Sequence, residues 1–203
     1  HLVHASPKAT LIVYDGRMSS SPPRLIFLKP EVALQKAKLK PGDTVADLGS
    51  GAGYLAIPAA IQVGSQGLVY AVDIVKNNLA SIRSQAKLYN LPNIKTIWAD
   101  LEQTGSTGIP DQTANVSLLF KVLCQQRNHE AIMSEARRVT KPGGTILVAE
   151  WCEPQLSNPS VGPAKESFVT RQELLSLGKK VGLQLEQEHK LDDFHYVLEY
   201  KRP

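Results

Sequence analysis

At 203 residues, with 42% hydrophobic and 21% charged side chains, the chain suits one packed core and is too evenly composed for a fibrous repeat or a disordered polyelectrolyte. The net charge of +4 is small enough to spread over a surface, so it does not point to nucleic acid as a partner. Two distant cysteines, Cys124 and Cys152, argue against a disulfide framework and against zinc or any other metal, and they fit a reducing cytoplasm.

The first apolar run, 10–14, is far shorter than the roughly 20 residues of a membrane span, and no targeting segment is read there. Three prolines and a serine run between Ser19 and Pro30 mark residues 1–29 as an irregular lead-in, with one domain expected over 30–203. Pro30 suits a helix first turn, and Val32, Leu34 and Leu39 predict a short amphipathic helix ending near Pro41-Gly42. Short apolar, β-branched runs at 44–48, 68–72, 94–98, 116–120 and 145–149 read as parallel strands covered on both faces. Helical spacing at 55–61, 77–89 and 130–139 alternates with them, which predicts right-handed βαβ units and a Rossmann-like, doubly wound α/β sheet. Lys141-Pro142-Gly143-Gly144 reads as structural, ending a helix and turning the chain into the fifth strand. A helix at 171–181 then precedes two alternating runs, 183–191 and 194–200, closed by a tight turn at Asp192-Asp193.

The most informative stretch is Asp47-Leu48-Gly49-Ser50-Gly51-Ala52-Gly53-Tyr54, where a strand ends in a glycine-rich turn leading into a helix. A dinucleotide site wants its third glycine one place later, and Asp47 would set a carboxylate against any bound phosphate. A cationic ligand without phosphate suits the turn better. S-adenosyl-L-methionine is such a ligand, with an ammonium, a sulfonium and a ribose diol. Asp73, closing the second strand about 20 residues on, is placed to accept from ribose hydroxyls, and Asp100 from an adenine amino group. Gly49, Ser50, Gly51, Gly53, Ile74, Leu101 and Phe120 complete the predicted cofactor set.

The order Asp47 to Gly53, Val72-Asp73, Ala99-Asp100 and Arg137 to Gly144 resembles the class I S-adenosylmethionine-dependent methyltransferases, and among them the quinone-biosynthesis-like small-molecule enzymes. The resemblance spans roughly residues 27–202 and implies a seven-stranded sheet, mostly parallel with an antiparallel last strand, and a small-molecule methyl acceptor. Two positions depart from the family pattern. After the fourth strand the chain reads Phe120-Lys121-Val122-Leu123-Cys124-Gln125-Gln126, so no family role carries over there, and Asn115 replaces a commoner Asp, read as a minor change at a strand entry.

Acceptor contacts are expected from loops at the carboxyl edge of the sheet: Lys121, Glu150, Trp151 and His195, with the long connection 150–167 as a lid. His195 is the one catalytic candidate, as a general base; the plainer reading is a histidine that pairs with Asp192 or Asp193 and pins the turn. His129 reads as a solvated or capping residue, and both cysteines as ordinary thiols. The alternatives are an RNA or protein methyltransferase on the same fold, a binding module that holds the cofactor without turnover, and a nicotinamide oxidoreductase, which the glycine spacing and Asp47 disfavour.

Overall fold

A computed structural model of the chain describes residues 30–152, 167–192 and 194–203; the lead-in 1–29, most of the expected lid and Asp193 lie outside the described residues. In chain order the elements are α1 (Pro30–Ala37), β1 (Thr44–Leu48), α2 (Ala56–Val63), β2 (Leu68–Asp73), α3 (Lys76–Leu88), β3 (Ile94–Trp98), β4 (Ala114–Phe120), α4 (His129–Val139), β5 (Thr140–Trp151), α5 (Arg171–Lys180), β6 (Gln184–Lys190) and β7 (His195–Lys201). The seven strands lie in the order β3-β2-β1-β4-β5-β7-β6. Strands β1 to β5 pair in parallel, and β7 runs antiparallel between β5 and β6, as the resemblance implied.

Strand alternation divides the apolar side chains between two layers. Val45, Val69, Leu118, Leu147, Ala149 and Val197 pack under α1, α2 and α3, whereas Leu48, Val72, Leu119, Ile146, Val148 and Leu198 pack under α4 and α5. The outer strand β6, Gln184 to Lys190, is almost wholly exposed and carries charged and amide side chains, which discourages pairing with another chain.

The fifth strand differs from expectation. It begins at Thr140, directly after α4, and not at 145: Thr140 pairs with Ala114, and the register shifts between Ala114 and Val116. The Thr140 hydroxyl bonds the Ala136 carbonyl at 2.7 Å and Ser117 Oγ at 2.6 Å, so the helix end is stitched into the sheet. Gly143 and Gly144 exchange backbone bonds with Arg202, which draws the supposed turn into the strand. Asn115 also does more than alter a strand entry: its Oδ1 accepts from the Thr44 N–H at 2.9 Å and Lys141 Nζ at 3.1 Å, joining the starts of β1 and β5.

Candidate active site

The glycine turn is shaped by the protein's own packing. Gly49 and Ser50 N–H groups both donate to the Val72 carbonyl at 2.8 Å, folding the turn onto the end of β2. A Cβ on Gly49 would lie 2.4 Å from Val122, and one on Gly53 2.9 Å from Ile82, so both glycines permit close approach of protein side chains. Only Gly51 has open space at its Cβ position; there the left-handed φ of 52° favours glycine, and its N–H donates to Asp73 Oδ2 at 2.7 Å.

A cavity of about 160 Å³ opens beside this turn, over the carboxyl ends of β1 to β4. Of the residues predicted for a cofactor, Gly49, Gly51, Asp73, Ile74, Asp100 and Leu101 line it. Ser50 is buried with its hydroxyl unpartnered, Gly53 packs under α3, and half-buried Phe120 lies against the α1–α3 layer. Val122, Gln125, Gln126, Asn78, Val75 and Ala99, none of them in the predicted set, complete the lining. The first three belong to the turn after β4 that matches no family pattern, and the polar pair Gln125-Gln126, a few residues past the apolar strand, is the one signal there.

The three acids differ in environment. Asp73 is held rigidly: Oδ1 accepts from the Val75 N–H at 2.7 Å and Asn78 Nδ2 at 3.2 Å, opposite the Gly51 bond. Asp100 accepts from the Glu102 N–H at 3.0 Å and Gln103 Nε2 at 3.1 Å, two residues beyond β3. Asp47 is 2% exposed beneath the turn, with Oδ2 unpartnered. Burial pushes its carboxyl up to about 7; the Ala56 N–H opposes that rise and the Asp73 charge adds to it.

Beyond β4 the chain takes a left-handed turn at Lys121 (φ 55°) into a short 3-10 segment, Leu123–Gln125. Glu150, buried near the end of β5, clasps this segment: its Oε1 accepts from the Leu123 N–H at 2.8 Å, while Oε2 has no partner. Burial raises its carboxyl above the usual range, and burial together with Glu150 drives the Cys124 thiol up to about 12, which leaves it a poor nucleophile. Lys121 Nζ lies 5.6 Å from the Trp151 ring centre, and the Trp151 and His195 rings are 4.3 Å apart. His129 begins α4, capped by Asn128, and its Nε2 lies 2.9 Å from the Gln126 carbonyl. Among the described residues no group of three or more His, Cys, Asp or Glu is arranged to hold a metal.

The same fold occurs in a SAM-dependent methyltransferase from Aquifex aeolicus, with a TM-score of 0.78 and 21% identity over 90% of this chain and 94% of that one. Residues 39–201 match the methyltransferase domain family, and the chain belongs to it. Sequence similarity extends to a 2-phytyl-1,4-naphtoquinone methyltransferase of Trichormus variabilis, 30% identical over 61% of this chain and 53% of that protein. An arsenite methyltransferase of Halobacterium salinarum is 29% identical over 56% of this chain and 28% of its own length. The chain thus spans about half or less of the curated relatives it matches.

Proposed function

We propose that this domain binds S-adenosylmethionine and directs methyl transfer to a small-molecule acceptor. The observation that carries this reading is the pair of strand-end carboxylates, Asp73 and Asp100, lining the cavity beside a glycine turn with Asp47 buried beneath it, and no basic side chain lining it among the described residues. Such a set repels phosphate and attracts a cationic nucleoside. The residues fit that group: Asp47 keeps an unpartnered, buried oxygen beneath the turn, Asp73 retains lone pairs for a ribose diol, and Asp100 lies beyond β3 for the base. The bound sulfonium supplies an already activated methyl electrophile. What the chain contributes is positioning: rigid carboxylates, a turn fixed on Val72, and side chains from the turn after β4 that exclude water.

The names of the relatives, which include naphthoquinone, ubiquinone/menaquinone and arsenite methyltransferases, favour a small acceptor. Two cysteines, too few for a disulfide framework, support a cytoplasmic setting, and no helix among the described residues is long and apolar enough to cross a membrane. We assign the domain to residues 30–203, with 1–29 as a separate lead-in. Thermal melting with S-adenosylhomocysteine and with NADH tests the reading. A ligand at 100 times its dissociation constant adds roughly 2.7 kcal/mol, worth several degrees at this size. Stabilisation by the sulfur nucleoside alone is expected, and Asp73→Asn should reduce it at least tenfold in affinity; stabilisation by NADH alone would sink the proposal.

A further inference from the structure

His195 opens β7 and is 3% exposed, yet its Nε2 is buried with no hydrogen-bond partner. Its Nδ1 lies 2.9 Å from both oxygens of Asp192. A carboxylate only accepts, so the neutral ring carries its proton on Nδ1 and presents a lone pair at Nε2. Asp192 is itself fixed, since its Oδ1 also accepts from the Phe194 and His195 N–H groups. The plain reading of a histidine that pins its turn therefore accounts for Nδ1 and leaves Nε2 unexplained, since a buried acceptor without a partner is destabilising.

Register places this atom relative to the cofactor turn. Asp47 pairs with Leu118, Phe120 with Ala149, and Trp151 with His195. Because alternate residues share a face, Asp47, Phe120, Trp151 and His195 all lie on the α1–α3 side of the sheet. The strand order β1-β4-β5-β7 sets His195 three strand spacings from Asp47 and, since Asp47's own row meets Glu199 on β7, four residues further toward the carboxyl edge, roughly 19 Å away in all. Between them lie two aromatic side chains, Phe120 and Trp151, with the Lys121 ammonium over the indole.

Resting on the methyl-transfer reading, we infer that His195 is the proton acceptor for an aromatic hydroxyl bound along this row, with Asp192 as its positioning residue. The hydroxyl oxygen forms the new bond to the methyl carbon as the sulfur–methyl bond breaks and its electron pair passes to sulfur. The hydroxyl proton moves to His195 Nε2, the resulting imidazolium is balanced by Asp192, and the proton leaves to solvent. Products are the methyl ether and S-adenosylhomocysteine. Lys121 favours the negative charge developing on oxygen.

The test uses the full chain, His195→Gln and Asp192→Asn. Calorimetry with S-adenosylhomocysteine is expected to give one affinity for all three; failure of the unaltered protein to bind removes the methyl-transfer reading, and with it the proposal. Nitrogen NMR of the histidine ring reads the base itself, without an acceptor: the neutral ring is expected to carry its proton on Nδ1, redistributed in Asp192→Asn, and a proton on Nε2 would overturn the proposal. With 1,4-dihydroxynaphthalene as probe acceptor and a labelled methyl donor, His195→Gln should lower kcat roughly 100-fold with KM little changed. Alkaline buffer, which ionises the naphthol directly, should restore part of that loss. An unchanged kcat in His195→Gln, or no methylation of the probe by a protein that binds S-adenosylhomocysteine, overturns the assignment.

Discussion

Asp47 shows how a single carboxyl couples fold to ligand. Its folded-state value near 7 lies above the value of about 4 it takes in an unfolded chain, so the folded state holds a proton that the unfolded state releases. The stability this contributes is fully present below about pH 4 and is lost as pH rises through 7. Asp47→Asn should therefore raise the melting temperature more at pH 8 than at pH 5, by roughly 5 °C at the higher pH, while S-adenosylhomocysteine binding weakens. A melting temperature independent of pH in both proteins would contradict the buried-carboxyl account. In the unaltered protein, a cation placed beside Asp47 should expel the proton, so binding near pH 6.5 releases protons, measurable in buffers of differing ionisation enthalpy.

At the scale of elements, α4 is anchored through Glu135, which is fully buried and accepts from the Gly105 N–H, the Thr107 hydroxyl and Arg138. Burial alone would raise its carboxyl, but Arg138 and Thr107 outweigh that and hold it below the ordinary range. The stability it gives is present above about pH 4.5 and is lost as pH falls through its lowered value. Glu135→Gln should cost about 3 kcal/mol at pH 7, read by urea melts, with less difference in acid. On α5 the determinant is steric. A Cβ on Gly178 would lie 2.5 Å from the Tyr200 ring, whose hydroxyl is fixed on the Leu174 carbonyl at 2.9 Å. Gly178→Ala should destabilise by about 1–3 kcal/mol despite alanine's better helix propensity; a gain in stability would show that Tyr200 yields.

These elements also mark what the sequence made legible. Apolar periodicity located all seven strands and the five helices, because each buries its own face against a neighbour, and Asp47, Gly49, Gly51 and Asp73 stood out because local order places them at strand ends. Lys141 to Gly144 reads as a turn because glycine and proline signal one locally, whereas the pairing that draws it into β5 comes from Arg202, some 60 residues away. The cavity-lining Gln125 and Gln126, and the unpartnered Nε2 of His195, depend on packing between distant segments, which no local pattern records.

For the molecule as a whole, β7 is the piece that joins the halves. It pairs along seven residues with β5 and along most of β6, and His195 at its start meets Trp151 at the end of β5. Replacing Leu198, which is fully buried in the centre of β7, with Asp should abolish cooperative thermal unfolding, followed by circular dichroism. During synthesis on a ribosome the order of emergence then matters. The glycine turn and its three acids come from the first half of the chain, but β5 keeps an open edge, liable to pair with other nascent chains, until β7 emerges and inserts. A growing chain thus acquires the glycine turn and its acids well before it acquires His195, and the arrival of β7 closes the edge most exposed to aggregation.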